Sequence, residues 1–304
     1  MHQNFYDAIA ANRRKTVFII LVFVLLVGVM VWVLAQAMGF GYYAVPLAVI
    51  FAIAMSWGDY YYSDKIVLGI SQAHPVNKNE FPYLVNITEA VALGAGVPVP
   101  ELYMIEDTAP NAFATGRNPQ HAVICVTRGL VEKLNRTELE GVIAHEMSHI
   151  RNYDILLSTV AVTMVGVVIL LSDWMLRFGW RVDRRRSRGN GGEGGDAAAA
   201  IFLVIGLAVA ILAPLFAQLL RFAISRQREY QADASAAMIT RYPQGLANAL
   251  RKIAADPEPL EVANKATAHL YIWNPLKDNE GRLDRLFDTH PPVEERIKRL
   301  EAMA

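Results

Sequence analysis

The stretch with the plainest chemistry runs from Thr137 to Asp154 and contains His145-Glu146-Met147-Ser148-His149. On an α-helix, residues four apart share a face, one turn above the other. His145 and His149 can then each offer a ring nitrogen to one metal ion. Glu146 lies beside them, within reach of a water on that ion. This is the layout of a zinc hydrolase. Two histidines at this spacing also arise by chance, so the reading needs a third ligand.

A second group stands far down the chain, in Ser225-Arg226-Gln227-Arg228-Glu229-Tyr230-Gln231-Ala232-Asp233. Glu229 and Asp233 are again four apart. Catalytic zinc takes three protein ligands and keeps one position for water. His145, His149 and Glu229 would supply a His₂Glu set. Asp233 could accept a hydrogen bond from the second nitrogen of a ligand histidine and so fix its ring. The competing reading pairs both carboxylates with Arg226 and Arg228 on a solvated face. His290, in Thr289-His290-Pro291-Pro292, has two readings as well. It is a structural residue at a helix entry, or a donor to the oxyanion of a tetrahedral intermediate.

The elements that must carry these residues are legible in outline. Leu139, Val142, Ile143, Met147 and Ile150 recur at helical spacing and predict a buried stripe on the histidine helix. Thr137 with Glu140 reads as its capping box. Phe81 to Ala95 has helical spacing. Glu101 to Ile105, Asn111 to Gly116 and Ala122 to Val126 read as strands, and Arg128 to Asn135 as a short helix. The prolines at 291 and 292 open a last helix, Val293 to Met303.

Composition sets the surroundings. The chain of 304 residues is 54% hydrophobic with zero formal net charge. No whole-chain charge or module points to nucleic acid. The single cysteine, Cys125, excludes an internal disulfide. Thr16 to Met38 and Tyr42 to Trp57 form one pair of apolar runs; Ile155 to Ser172 and Ala197 to Leu220 form another. Such lengths suit the lipid bilayer. The basic Arg13-Arg14-Lys15 favours a cytosolic N-terminus. Ligands from both flanks of the second pair must meet at one metal, so that pair returns to its starting side. Full crossings would put the Arg- and Gly-rich linker between Arg177 and Asp196 on the far side. The expected division is 1–62 (tail and first transmembrane hairpin), 63–154 (first part of the zinc domain), 155–220 (second hairpin) and 221–304 (second part).

Taken together, these motifs resemble the HtpX family of membrane-bound zinc metalloproteases, relatives of the CAAX prenyl endopeptidases. The matching pieces are His145 to His149 with Asp154, Glu229 to Asp233, Asn111-Ala112-Phe113-Ala114-Thr115-Gly116, and Thr289-His290-Pro291-Pro292, in the family's order. The resemblance implies a mainly α mini-gluzincin type zinc domain with a small β-sheet, joined to integral membrane helices on the cytosolic face. It implies one Zn²⁺ ion, with Asp154 and Asp233 supporting the ligands. It places Asn111, Ala112 and Phe113 on an edge strand that binds substrate, and implies cleavage of misfolded or damaged membrane proteins. A non-catalytic zinc-binding membrane scaffold or sensor is the alternative. A structural site would be closed by four ligands, whereas three are evident here, with Glu146 placed as a base. A transporter would show ionisable groups inside its apolar runs, and these runs have almost none.

Overall fold

The computed structural model describes residues 10, 12, 14–25, 28, 32, 44–161, 226–263, 267–275 and 291–304. Seven helices of these residues carry labels here: α1 Ala44–Ile70, α2 Pro82–Ala95, α3 Arg128–Lys133, α4 Arg136–Arg151, α5 Arg226–Thr240, α6 Pro243–Ala255 and α7 Val293–Glu301. Four strands, β1 His74–Pro75, β2 Glu101–Ile105, β3 Ala112–Gly116 and β4 Ala122–Thr127, form one sheet in the order β1-β2-β4-β3. The pair β2/β4 is parallel and the outer pairs are antiparallel. The architecture is mainly helical with a small sheet.

Helix α4 is the centre of the packing. Its buried residues include Leu139, Val142, Ile143, Met147 and Ile150, the stripe read from the spacing. They join Leu84 and Ile87 of α2, Ile124 and Val126 of β4, and Leu246, Leu250 and Ile253 of α6 in one core. The start of α4 differs from the expectation. The capping box is formed by Asn135 and Glu138, not by Thr137 and Glu140. The Asn135 side chain accepts from the Glu138 backbone N–H at 3.1 Å, and Glu138 Oε2 accepts from the Asn135 N–H at 2.8 Å. Glu140 is instead held by Arg136 on the surface. Both pairs have the three-residue spacing, but only Asn135 adopts the extended backbone an N-cap requires.

The crossing of α4 with α6 is close because both helices offer glycine. A Cβ on Gly141 would lie 2.7 Å from the Leu246 nitrogen, and one on Gly245 would lie 2.5 Å from the Thr137 carbonyl oxygen. Backbone cannot yield as a side chain does, so Gly141→Ala must push α6 away. A loss of about 1–3 kcal/mol is expected, read as a lowered midpoint of chemical unfolding. An unchanged midpoint would show that the helices can separate at no cost.

The N-terminal helices present a different surface. Val17, Phe18, Leu21 and Leu25 are exposed, as are Ile50, Phe51, Ile53 and Trp57 of α1, while Ile19, Phe23 and Ala52 are buried. Helix α1 runs through the division drawn at residue 62 without interruption. Among the described residues no helix is long and apolar enough to cross a membrane. Part of the first apolar pair, most of the second, the Arg- and Gly-rich linker and His290 lie outside the described residues.

Candidate metal centre

Helix α4 delivers His145 and His149 on one face, and α5 delivers Glu229 and Asp233 on one face. The two helices pack together, and the ligand atoms of His145, His149 and Glu229 come within 4.8 Å of one another. His145 Nε2 lies 3.6 Å from Glu229 Oε2, and His149 Nε2 lies 3.5 Å from Glu229 Oε1. The two Nε2 atoms are 3.2 Å apart. Two ring nitrogens that close need a proton or a cation between them. The opposite nitrogens are already engaged. His145 Nδ1 is 3.0 Å from Asp233 Oδ1, and His149 Nδ1 is 3.1 Å from Asp154 Oδ2. Each carboxylate takes the Nδ1–H and leaves the Nε2 lone pair facing the common point. The donor set thus fits one metal ion.

Electrostatics follow from this crowding. Burial works against a charged His145 ring, but the Asp233 and Glu229 carboxylates overcome it and raise the pKa to about 9. Proton and metal compete for the same nitrogen, so a metal ion bound here would displace a proton. Burial pushes the Glu146 carboxyl above its ordinary value, against the pull of both histidines. A bound cation would draw it back toward the ionised form. Glu146 lines the same cleft as His145, His149 and Glu229, together with Ala114, Asp154, Arg228, His269 and Tyr271.

Arg296 of α7 completes the site, and sequence reasoning passed over it. Its side chain is fully buried. The guanidinium donates through Nε to Asp233 Oδ2 at 2.9 Å and through Nη2 to Asp233 Oδ1 at 2.7 Å, a two-pronged pairing that a lysine could not copy. Nη1 donates to the Ile272 carbonyl at 3.1 Å and lies 3.7 Å from Glu229 Oε2. Burial pushes Asp233 up, but Arg296 and His145 outweigh it and hold the carboxyl down at about 2. The available signal was positional. Val293, Arg296 and Leu300 form the buried side of α7, so an arginine sits in the middle of an apolar stripe. His269 and Asn12 were likewise given no role, yet His269 lines the cleft and Asn12 donates to Asp154 at 2.7 Å.

Among the described residues strand β3 is an edge of the sheet, as expected, but its start and the residue before it are covered by the chain itself. Ile272 N–H donates to the Ala112 carbonyl at 2.9 Å, and Asn111 Nδ2 donates to the Trp273 carbonyl at 3.0 Å. The Phe113 ring packs edge-on against Tyr271, with centroids 5.0 Å apart. Thr127 N–H donates to the Asn111 carbonyl, so residue 111 faces β4. By the two-residue alternation of a strand, the peptide groups of Ala112 and Ala114 face the other way. Ala112 meets the 271–273 segment; Ala114 opens onto the cleft.

Comparison with known proteins agrees with this geometry and with the motifs. The chain is 46% identical to the protease HtpX homolog of Dictyoglomus turgidum over 299 residues, which covers 98% of this chain and 95% of the relative. It is 48% identical to that of Thermoanaerobacter pseudethanolicus over 301 residues, covering 98% and 97%. The fold is similar to that in the crystal structure of S. mikatae Ste24p, with a TM-score of 0.52 and 19% identity. That match covers 90% of this chain and 62% of the other, so it speaks for the fold alone. The sequence model of peptidase family M48 matches residues 78–304, which include both histidines, Glu146, Glu229, Asp233 and Arg296. With the HtpX resemblance of its motifs matched by relatives along almost its whole length, the chain belongs to peptidase family M48.

Proposed function

We propose that this chain is a zinc-dependent endopeptidase held at a membrane, cleaving extended segments of unfolded polypeptide. One observation carries the reading: His145, His149 and Glu229 converge within 4.8 Å in a cleft that Glu146 also lines. The donor set of two imidazoles and a carboxylate is that of hydrolytic zinc sites, and zinc supplies a water of lowered pKa and polarises the substrate carbonyl. The protein's own part is then specific. Glu146 takes the proton of the attacking water and passes it to the leaving amine. His290 is assigned, from the sequence, a hydrogen bond to the carbonyl oxygen as it becomes anionic.

Substrate is proposed to add as a strand along the outward peptide groups of β3. The internal bonds at Asn111 and Ala112 support moving the main contact from Asn111, Ala112 and Phe113 to Ala114. Recognition through backbone groups makes sequence preference loose, which suits misfolded substrates. The exposed apolar faces of residues 17–25 and α1 support contact with the lipid bilayer, and the basic residues at 13–15 support a cytosolic site.

The purified protein is expected to cleave an unfolded, casein-like substrate, to lose cleavage on zinc chelation and to regain it when zinc is restored. Glu229→Ala removes one of three donors. Its zinc content after dialysis is expected to fall with its activity. Full zinc occupancy in Glu229→Ala would put the third ligand elsewhere, and chelator-resistant cleavage would remove the metal mechanism.

A further inference from the structure

Asn12 lies well before the matched region 78–304, yet it reaches the metal centre. It is 4% exposed. Its Nδ2 donates to Asp154 Oδ1 at 2.7 Å and to the Asn152 carbonyl at 3.0 Å. Both neighbours are acceptors, so only this orientation of the amide satisfies them. The other oxygen of the same carboxylate faces His149 Nδ1 at 3.1 Å. Arg228 Nη1 also approaches Asp154 Oδ1, but at 3.5 Å. Asp154 starts the helical stretch that follows α4, where Tyr153 takes a positive φ of 59°. A carboxylate at such a corner has a free χ1 rotation unless something holds it. Asn12 holds one oxygen, and this leaves the other turned to His149.

We propose that Asn12 is a positioning residue of the metal site, acting on His149 through Asp154. The inference rests on the reading of His145, His149 and Glu229 as metal ligands. Displacing Asn12 would loosen one ligand histidine without touching any ligand. The predicted size is that of supporting hydrogen bonds at metal sites, about 10-fold in zinc affinity.

The test is zinc affinity of the full chain by chelator competition, with the absorption spectrum of the cobalt-substituted protein as a reporter of ligand geometry. Asn12→Leu keeps the volume and removes the donor. It is expected to weaken zinc about 10-fold and to shift the cobalt spectrum; Asn12→Gln is expected to recover part of both. Thr16→Val, which removes the neighbouring bond from Thr16 Oγ1 to the Asn12 carbonyl, is expected to change neither. The deciding arm is the cycle with Asp154→Ala, which removes both oxygens. If Asn12 acts through Asp154, Asn12→Leu adds nothing in the Asp154→Ala background. An undiminished effect there, or wild-type zinc affinity in Asn12→Leu, overturns the inference while leaving the metal site standing. If Asn12→Leu does not fold, Asn12→Gln and Thr16→Val carry the comparison, and equal zinc affinities in the two overturn it. A wild-type protein that binds no zinc removes the reading of the site and this inference with it.

Discussion

Glu146→Gln is expected to abolish cleavage while leaving fold and zinc content intact. The amide has the size of the carboxylate and fits the same buried position at the cleft. It cannot accept a proton from the attacking water. Positioned acid–base groups contribute roughly 10²- to 10⁴-fold, and in the proposed mechanism one residue serves both proton transfers, so the loss belongs at the upper end. The measurement is kcat/KM on a fluorogenic unfolded substrate, beside metal analysis of the same sample. Near-normal turnover would remove Glu146 from the chemistry. Lost zinc along with lost turnover would make it a ligand instead.

Arg296→Met is expected to cost the most stability. The methionine fills much of the space, but Asp233 is left buried beside His145 without its two-pronged partner. Breaking a buried ion pair on one side costs about 3–5 kcal/mol, because the remaining charge is uncompensated. Zinc affinity should fall as well, since Asp233 is the group that orients His145. Two comparisons separate these causes. Arg296→Lys keeps the charge without the fork, and should restore stability better than zinc binding. Adding Asp233→Asn to Arg296→Met should recover part of the lost stability, because the orphaned charge is gone. Equal unfolding midpoints for wild type and Arg296→Met would show that the guanidinium is not needed to keep Asp233 buried.

The readable features of this chain are those written in short range. Short apolar runs bounded by turn residues give the strands near 101–105 and 122–126, and the i, i+4 histidines, the apolar stripe of α4 and the i, i+4 pair Glu229 and Asp233 follow from a local period of 3.6 residues. Burial then enforces that period. Spacing alone does not locate the cap of α4, because two pairs share the three-residue interval and backbone geometry chooses between them. Beyond that range the sequence carries types but not pairings. Only the tertiary structure decided that Asp233 serves His145 while Asp154 serves His149. The same holds for Ile272 covering Ala112, and for Asn12 and Arg296 closing the site from opposite ends of the chain. Each of these contacts joins residues far apart in sequence, except Asp154 and His149, where a reversed backbone at Tyr153 sets the direction. A buried charge is tolerable only where a partner meets it, and the partner is chosen by how helices pack rather than by its neighbours along the chain.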